Sequence, residues 1–279
     1  MEKNRNSKNE VGDLLEKEKK LAGMLEEYTK ENVCVAFSGG VDSSLLLVLA
    51  CDAADRNGTK VYAITADTVL HPSADLAVAK DVLAKTSAVH EILKINELTV
   101  PEIKYNPENR CYLCKKEIYS RMLSFAEQNG CNILLEGSNE DDLHVYRPGL
   151  QAVRELGVKS PLAACGISKK EVRALAAKYD IKVANRPSSP CLATRLPYGA
   201  EIDMELLKRI DEAENALRVM GFGNVRFRVH GEIVRLEVDI DNFREVFEER
   251  EKIIAIIKNQ GFRYVTLDLE GFRSGSMDK

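Results

Sequence analysis

The run Val33-Cys34-Val35-Ala36-Phe37-Ser38-Gly39-Gly40-Val41-Asp42-Ser43-Ser44 constrains the fold more than any other part of the chain. An apolar, strand-like stretch breaks at two glycines and gives way to a second apolar stretch of helical length, Leu45 to Cys51. Paired glycines reach backbone dihedrals closed to other residues and let the chain come close to an anion. The following helix offers first-turn N–H groups and the positive end of its dipole. Such a turn is a phosphate cradle, with Ser38 and Ser43 as further hydroxyl donors. A carboxylate at Asp42 beside a polyphosphate calls for a cation between them, so Asp42 is the expected Mg²⁺ ligand. The Walker A lysine is missing and there is no G-x-G-x-x-G, which excludes an ordinary P-loop and a dinucleotide fingerprint.

With these residues the chain resembles the PP-loop ATP pyrophosphatases, which cleave ATP to AMP and pyrophosphate while adenylating a substrate. Hydropathy periodicity agrees with an α/β architecture. Beyond the first strand and its helix, Lys60 to Ala66, Val89 to Ile95 and Asn132 to Gly137 read as strands. Val11 to Lys30, Ala74 to Lys85, Cys114 to Asn129 and Lys169 to Tyr179 read as helices. Alternation of this kind predicts a parallel sheet with helices on both faces; ligands then sit outside the carboxyl ends of the strands, where Ser38, Ala66, Asp67 and Glu136-Gly137-Ser138-Asn139 are expected to emerge and line one crevice. Ala36, Ser38, Gly39, Gly40, Asp42, Ser43, Ala66 and Gly137 are accordingly the expected ATP-binding set.

A length of 279 residues suits a nucleotide-binding domain with a smaller partner, and 44% hydrophobic content supports real cores. The expected division is a disordered segment at 1–10, a PP-loop domain at 11–199 and a small domain at 200–279. Net charge is −4 with both signs interspersed, so no broad basic field favours nucleic acid. No stretch approaches the roughly 20 apolar residues of a membrane span, and residues 1–10 lack the apolar core of a signal peptide, so a cytoplasmic location is expected.

After Tyr198-Gly199 the pattern becomes α-β-β-α-β: helix Met204 to Met220, strands Asn224 to His230 and Glu232 to Val238, helix Asn242 to Lys258, strand Arg263 to Leu269. Along the hairpin Arg226, Arg228, Arg235 and Glu237 alternate with apolar residues, so one face is charged. That face is either a solvated surface or an anion-binding wall. Arg195, Arg226 and Arg228 are the candidates for gripping a substrate phosphate or carboxylate, because a guanidinium fork matches either anion bidentately.

Seven cysteines in a chain without a secretion signal point to thiol, metal or cluster chemistry. Cys111 and Cys114 form a C-x-x-C at the expected start of a helix, and Cys191 lies far along the chain beside Pro190 and Arg195. Taken alone, the C-x-x-C is open to a redox pair, a zinc site or core cysteines. Zinc wants four ligands, whereas His71, His90, His144 and His230 are scattered singly. Three thiolates would leave one position open on a metal or cluster, as in a reactive centre. Cys34, Cys51, Cys131 and Cys165 lie in apolar runs or beside glycine and read as inert small hydrophobes.

Together, Ser38 to Ser43, Tyr146-Arg147-Pro148-Gly149-Leu150, Cys191 ahead of Arg195-Leu196-Pro197-Tyr198-Gly199, and the terminal Tyr264 to Gly275 resemble the LarE family, ATP-dependent sulfur transferases of nickel-pincer cofactor synthesis. The resemblance, from about Leu21 to Met277, implies adenylation of a carboxylate of pyridinium-3,5-biscarboxylic acid mononucleotide and its conversion to a thiocarboxylate. It also implies a homo-oligomer. One branch of the family sacrifices the sulfur of a single cysteine at the position of Cys191. Here Cys111 and Cys114 are added, as in cluster-dependent tRNA thiolation enzymes. That likeness implies a [4Fe-4S] cluster held by Cys111, Cys114 and Cys191, with sulfide from a donor the sequence does not identify. The alternatives are tRNA thiolation, amidation, or an ATP- or redox-sensing module without turnover.

Overall fold

In a computed structural model of the chain, residues 2–71, 80–145, 147–181, 191–273 and 275–277 are described, with side chains from residue 12 onward. Much of the expected helix Ala74 to Lys85 lies outside these residues, although 80–83 is helical; Tyr146, Pro190 and Ser274 of the motifs also lie outside them. The chain forms two compact units. The first comprises Met1–Thr68, Ser73–Glu97 and Cys111–Ser189; the second comprises Val69–Pro72, Leu98–Arg110 and Pro190–Lys279.

The first unit holds a parallel sheet in the order β3-β2-β1-β4, built from β1 (Val33–Ala36), β2 (Val61–Thr68), β3 (Val89–Ile95) and β4 (Ile133–Leu135). Period-2 alternation sorts β1 between two cores. Val33 and Val35 join Leu21, Leu25, Leu45, Leu46 and Val172, while Cys34 joins Ile64, Tyr119, Met122 and Leu134. Helices α1 (Glu2–Tyr28), α2 (Val41–Asn57) and α6 (Lys169–Lys178) therefore cover one face, and α3 (Arg110–Gln128) covers the other. Between α3 and α6 lie α4 (Gly149–Glu155) and α5 (Pro161–Ala164). The chain runs from β1 outward to β2 and β3 and then returns to the opposite side of β1 for β4. The loops after β1 and β4 thus part at a topological switch point, where open α/β sheets bind ligands.

The second unit carries a three-stranded sheet, β5 (Val225–His230), β6 (Ile233–Val238) and β7 (Tyr264–Leu267), antiparallel between β5 and β6 and parallel between β6 and β7. Helices α7 (Met204–Val219), α8 (Phe243–Glu248) and α9 (Arg250–Asn259) accompany it.

Three differences from the sequence expectation have physical causes. Helix α1 takes in residues 2–10, expected as disordered, because Glu, Lys and Arg there are adequate helix formers. Helix α3 begins at Arg110 rather than Cys114: the turn closed by Arg110 N–H donating to Pro107 C=O (2.9 Å) leads straight into it. The helix expected over Asn242 to Lys258 bends at Glu249 into α8 and α9. The bonding nevertheless continues, with Glu249 N–H donating to Glu245 C=O (2.9 Å) and Ile253 N–H to Glu249 C=O (3.1 Å).

Leu46 on α2 is completely buried in the larger core. Leu46→Ala is expected to destabilise the protein by about 2–5 kcal/mol, read from the denaturant midpoint.

Candidate active site

The turn after β1 is closed by its own serines. Ser43 Oγ donates to Gly40 C=O (3.1 Å), Ser38 N–H donates to Ser43 Oγ (3.3 Å), and the two hydroxyls share a hydrogen bond of 3.1 Å. Gly39 takes φ 73°, the left-handed region, so the tight reversal depends on a residue without Cβ. Gly40 caps α2 with no side-chain cap hydrogen bond, and Asp42 lies in the helix's first turn. The entry strand is anchored by Thr65 Oγ1 donating to Phe37 C=O (2.9 Å) and sharing a hydrogen bond with His90 Nε2 (2.9 Å), a structural duty for that histidine.

The loop after β4 comes against this turn. A Cβ on Gly137 would stand 2.9 Å from Ser43 N and 3.1 Å from Ser43 Cα, so glycine is required for close packing. Two residues on, Asn139 Nδ2 donates to Asp42 Oδ1 (3.0 Å), and Lys169 at the start of α6 pairs its ammonium with Asp42 Oδ2. Lys169 N–H also donates to Asp141 Oδ2 (2.8 Å), which fixes the helix start against the 139–142 turn. Buried Glu136 accepts from Ser138 N–H (3.1 Å), Ser138 Oγ (2.8 Å) and Ser160 Oγ, making the β4 loop rigid. Sequence reasoning missed Lys169, and it placed Glu136 and Asn139 in a crevice-lining loop without identifying their partners. The Ser168…Glu171 capping box does mark where α6 begins, but nothing in the sequence says that Lys169 meets a carboxylate 127 positions earlier. Ala36 and Ala66 lie at the carboxyl ends of β1 and β2, beside this turn.

Cys111 and Cys114 are one turn apart on α3, hence on one helix face, with Cys111 exposed and Cys114 buried. Both belong to the first unit, whereas Cys191 belongs to the second and opens the short 3₁₀ turn Leu192–Arg195, half-buried. Among the described residues no group of three or more His, Cys, Asp or Glu side chains is gathered as a metal site. Cys34, Cys51, Cys131 and Cys165 are buried, and burial pushes the Cys51 thiol up to about 11.

The hairpin's charged face is neither a solvated surface nor an open wall. Arg195, expected to grip substrate, is 0% exposed and forks onto Glu214, itself 0% exposed, through Nε (2.7 Å) and Nη2 (2.7 Å). Arg228 donates to Glu237 Oε2 (3.1 Å) and to Thr194 C=O (2.7 Å). Both guanidiniums are committed inside the unit because their charges are buried and need carboxylate partners. Arg226 differs: among the described residues no carboxylate pairs with it, and it lies over the Phe272 ring at 5.1 Å. Burial, then the nearby Arg195 charge, lower its pKa to about 10, so it stays cationic at neutral pH.

The model of the PP-loop domain family matches residues 14–160. A Synechocystis protein of uncharacterised function is 37% identical over 254 residues, covering 89% of this chain and 92% of its own length. The pyridinium-3,5-bisthiocarboxylic acid mononucleotide synthase of Lactiplantibacillus plantarum is 35% identical over 248 residues, 89% of each chain. A tRNA-cytidine(32) 2-sulfurtransferase of Legionella pneumophila is 32% identical over 117 residues, 40% of this chain and 41% of its own.

Gly137→Ala is expected to push the β4 loop away from α2 and weaken ATP binding by about tenfold, ~1.4 kcal/mol, measurable by calorimetry. Glu214→Gln leaves Arg195 buried without a counter-charge and is expected to cost about 3–5 kcal/mol in chemical denaturation. Burial acts to raise the Glu214 pKa, but the Arg195 bonds and charge, with the Phe227 N–H, outweigh it and hold the group below its ordinary 4.5. Its contribution is therefore complete above pH 4.5 and is lost as pH falls through the lowered value, so the gap between wild type and Glu214→Gln narrows in acid.

Proposed function

This chain belongs to the LarE family of PP-loop enzymes, and from that premise we propose that it adenylates a carboxylate of pyridinium-3,5-biscarboxylic acid mononucleotide and converts it to a thiocarboxylate in nickel-pincer cofactor biosynthesis. It is an ATP-dependent sulfurtransferase. The observation that carries the adenylation half is the meeting of the first turn of α2, Asp42, Asn139 and Lys169 at the switch point.

Each residue there has a task set by charge. The α2 amides and the serine hydroxyls receive phosphate oxygens. Lys169, a third exposed (37%), supplies the cation that the missing Walker A lysine would have supplied, by moving from Asp42 onto the phosphates. Asp42 is a hard oxygen donor whose two hydrogen bonds leave further lone pairs, which suits Mg²⁺; the ion would neutralise charge on the departing pyrophosphate. A free carboxylate resists sulfur attack because oxide is a poor leaving group, and AMP attached to it leaves readily. Arg226 is the remaining candidate for the substrate's own anionic groups, since Arg195 and Arg228 are committed elsewhere.

For the sulfur half, Cys111 and Cys114, on one face of α3, and Cys191 are the thiols that would hold a [4Fe-4S] cluster. Such a cluster would supply an open iron able to carry sulfide. The tRNA-thiolation alternative is less well supported: similarity to the tRNA sulfurtransferase covers 40% of this chain, against 89% for the mononucleotide synthase, and net charge is −4.

Asp42→Asn and Lys169→Ala are each expected to lower mononucleotide-dependent pyrophosphate release by about 10²-fold, a loss of transition-state charge stabilisation; normal turnover by either variant removes its assigned role. Cys191→Ala should retain pyrophosphate release and lose thiocarboxylate formation, whereas equal loss of both contradicts the division of labour. Anaerobically purified protein is expected to be brown with bound iron and sulfide. A colourless preparation whose mass drops by H₂S at Cys191 on turnover would instead establish sacrifice of that cysteine.

A further inference from the structure

The short turn that begins at Cys191 is held by side chains rather than by regular secondary structure. Its carbonyls are met one after another by donors within the second unit. Cys191 C=O accepts from Thr194 Oγ1 (2.7 Å) and Arg195 Nη1 (3.2 Å), and Thr194 C=O accepts from Arg228 Nη1 (2.7 Å). Three further carbonyls, of Ala193, Leu196 and Pro197, share one side-chain donor, Ala193 and Pro197 also accepting from the N–H of Leu196 and Ala200 (both 3.2 Å). Asn106 Nδ2 donates to Leu196 C=O (3.0 Å) and Pro197 C=O (2.9 Å), with a longer contact to Ala193 C=O (3.4 Å).

Asn106 itself has an unusual placement. It is 0% exposed and sits at φ 46°, in the left-handed region, which asparagine tolerates better than most residues but still at a cost of roughly 1 kcal/mol or more. The Arg110 guanidinium donates to its Oδ1, which orients the amide so that its N–H groups face the turn. The backbone on either side is laced to the same segment: Gly199 N–H donates to Asn106 C=O (3.2 Å) and Ile202 N–H to Lys104 C=O (2.8 Å). A buried, conformationally strained residue whose polar atoms serve one turn is expected where that turn must keep a single shape.

We propose that Asn106 is a positioning residue for Cys191: its amide, oriented by Arg110, fixes the 193–197 turn and thereby the direction in which the Cys191 thiol is presented. The inference rests on the role given to Cys191 in sulfur transfer. The structural part of its test, however, needs no substrate. The side-chain bonds of Asn106 run to backbone carbonyls of the turn and to Arg110, so it acts through the backbone it holds.

The test compares full-length Asn106→Gly, which accepts the left-handed dihedral without strain, with Asn106→Asp, which keeps the acceptor for Arg110 but aims a carboxylate at three carbonyls. Both are expected to keep pyrophosphate release, with KM for ATP within about twofold of wild type. Thiocarboxylate formation should fall by about tenfold or more, the effect of a misplaced reacting group. Peptide mass spectrometry should show the iodoacetamide alkylation rate of Cys191 changed by about threefold or more, a shift in presentation of under 1 kcal/mol, with Cys111 unchanged. Asn106→Asp should recover part of its activity as pH falls and its protonated carboxyl donates once more. Wild-type alkylation of Cys191 and wild-type sulfur transfer in both variants would overturn the proposal. So would equal loss of adenylation and sulfur transfer with a lowered melting temperature, which marks a merely structural residue. If wild type itself forms no thiocarboxylate, the substrate reading fails, and the alkylation rates alone decide the role of Asn106.

Discussion

A single missing side chain governs the geometry of the nucleotide half. Because Gly137 has no Cβ, the end of β4 reaches the backbone of Ser43, where any other residue would stand within 2.9 Å of an amide nitrogen. That approach brings the Asn139 amide to Asp42, and the 139–142 turn in turn receives the start of α6 and its Lys169. The strand order β3-β2-β1-β4 makes the approach possible by setting β4 beside β1 after the chain has gone out to β3 and back. The meeting of Asp42, Asn139 and Lys169 follows from topology first and from individual side chains second.

The second unit solves a different electrostatic problem. Among its buried charged residues are Arg195, Arg226, Arg228, Glu214 and Glu237. Burying that many charges is favourable only when each finds partners of good geometry. Glu214 shows how this is met, accepting from Arg195 twice, from Arg218 (2.7 Å) and from Phe227 N–H (3.0 Å). Arg226 is the member left without a carboxylate among the described residues, so it is the cation best able to answer an anion from outside.

The parts of this arrangement that were legible in the sequence are those written in local pattern. Gly39-Gly40 marked the tight turn between β1 and α2, and β3 falls at the expected residues, where β-branched Val89, Ile92 and Ile95 favour an extended chain. The hairpin's alternation was also readable, but not its meaning. Alternating Arg and Val looks the same whether the polar face meets water, a ligand or Glu214 and Glu237 from elsewhere in the unit. Lys169, Glu214 and Asn106 were invisible for the same reason: each acts on a partner separated by many residues. The early start of α3 was hidden by Pro107 and Asn109, residues typical of a loop, and it brings Cys111, expected just ahead of the helix, onto the same helical face as Cys114.

The two half-reactions proposed for the chain make opposite demands on it. Binding pyrophosphate needs several backbone N–H groups converging on one point, which the first turn of a helix after a strand provides at little cost. Presenting a reactive thiol needs a side chain at a half-open position that regular secondary structure would bury or splay. An irregular turn provides that position but not its rigidity. The rigidity comes from buried side chains, with Arg195 held by Glu214, Arg228 by Glu237 and Asn106 by Arg110, each passing its order on to a carbonyl of the turn. Buried charges that add little net stability as isolated pairs are thereby given a use, since a network satisfied at every member specifies one conformation where a greasy core would allow several.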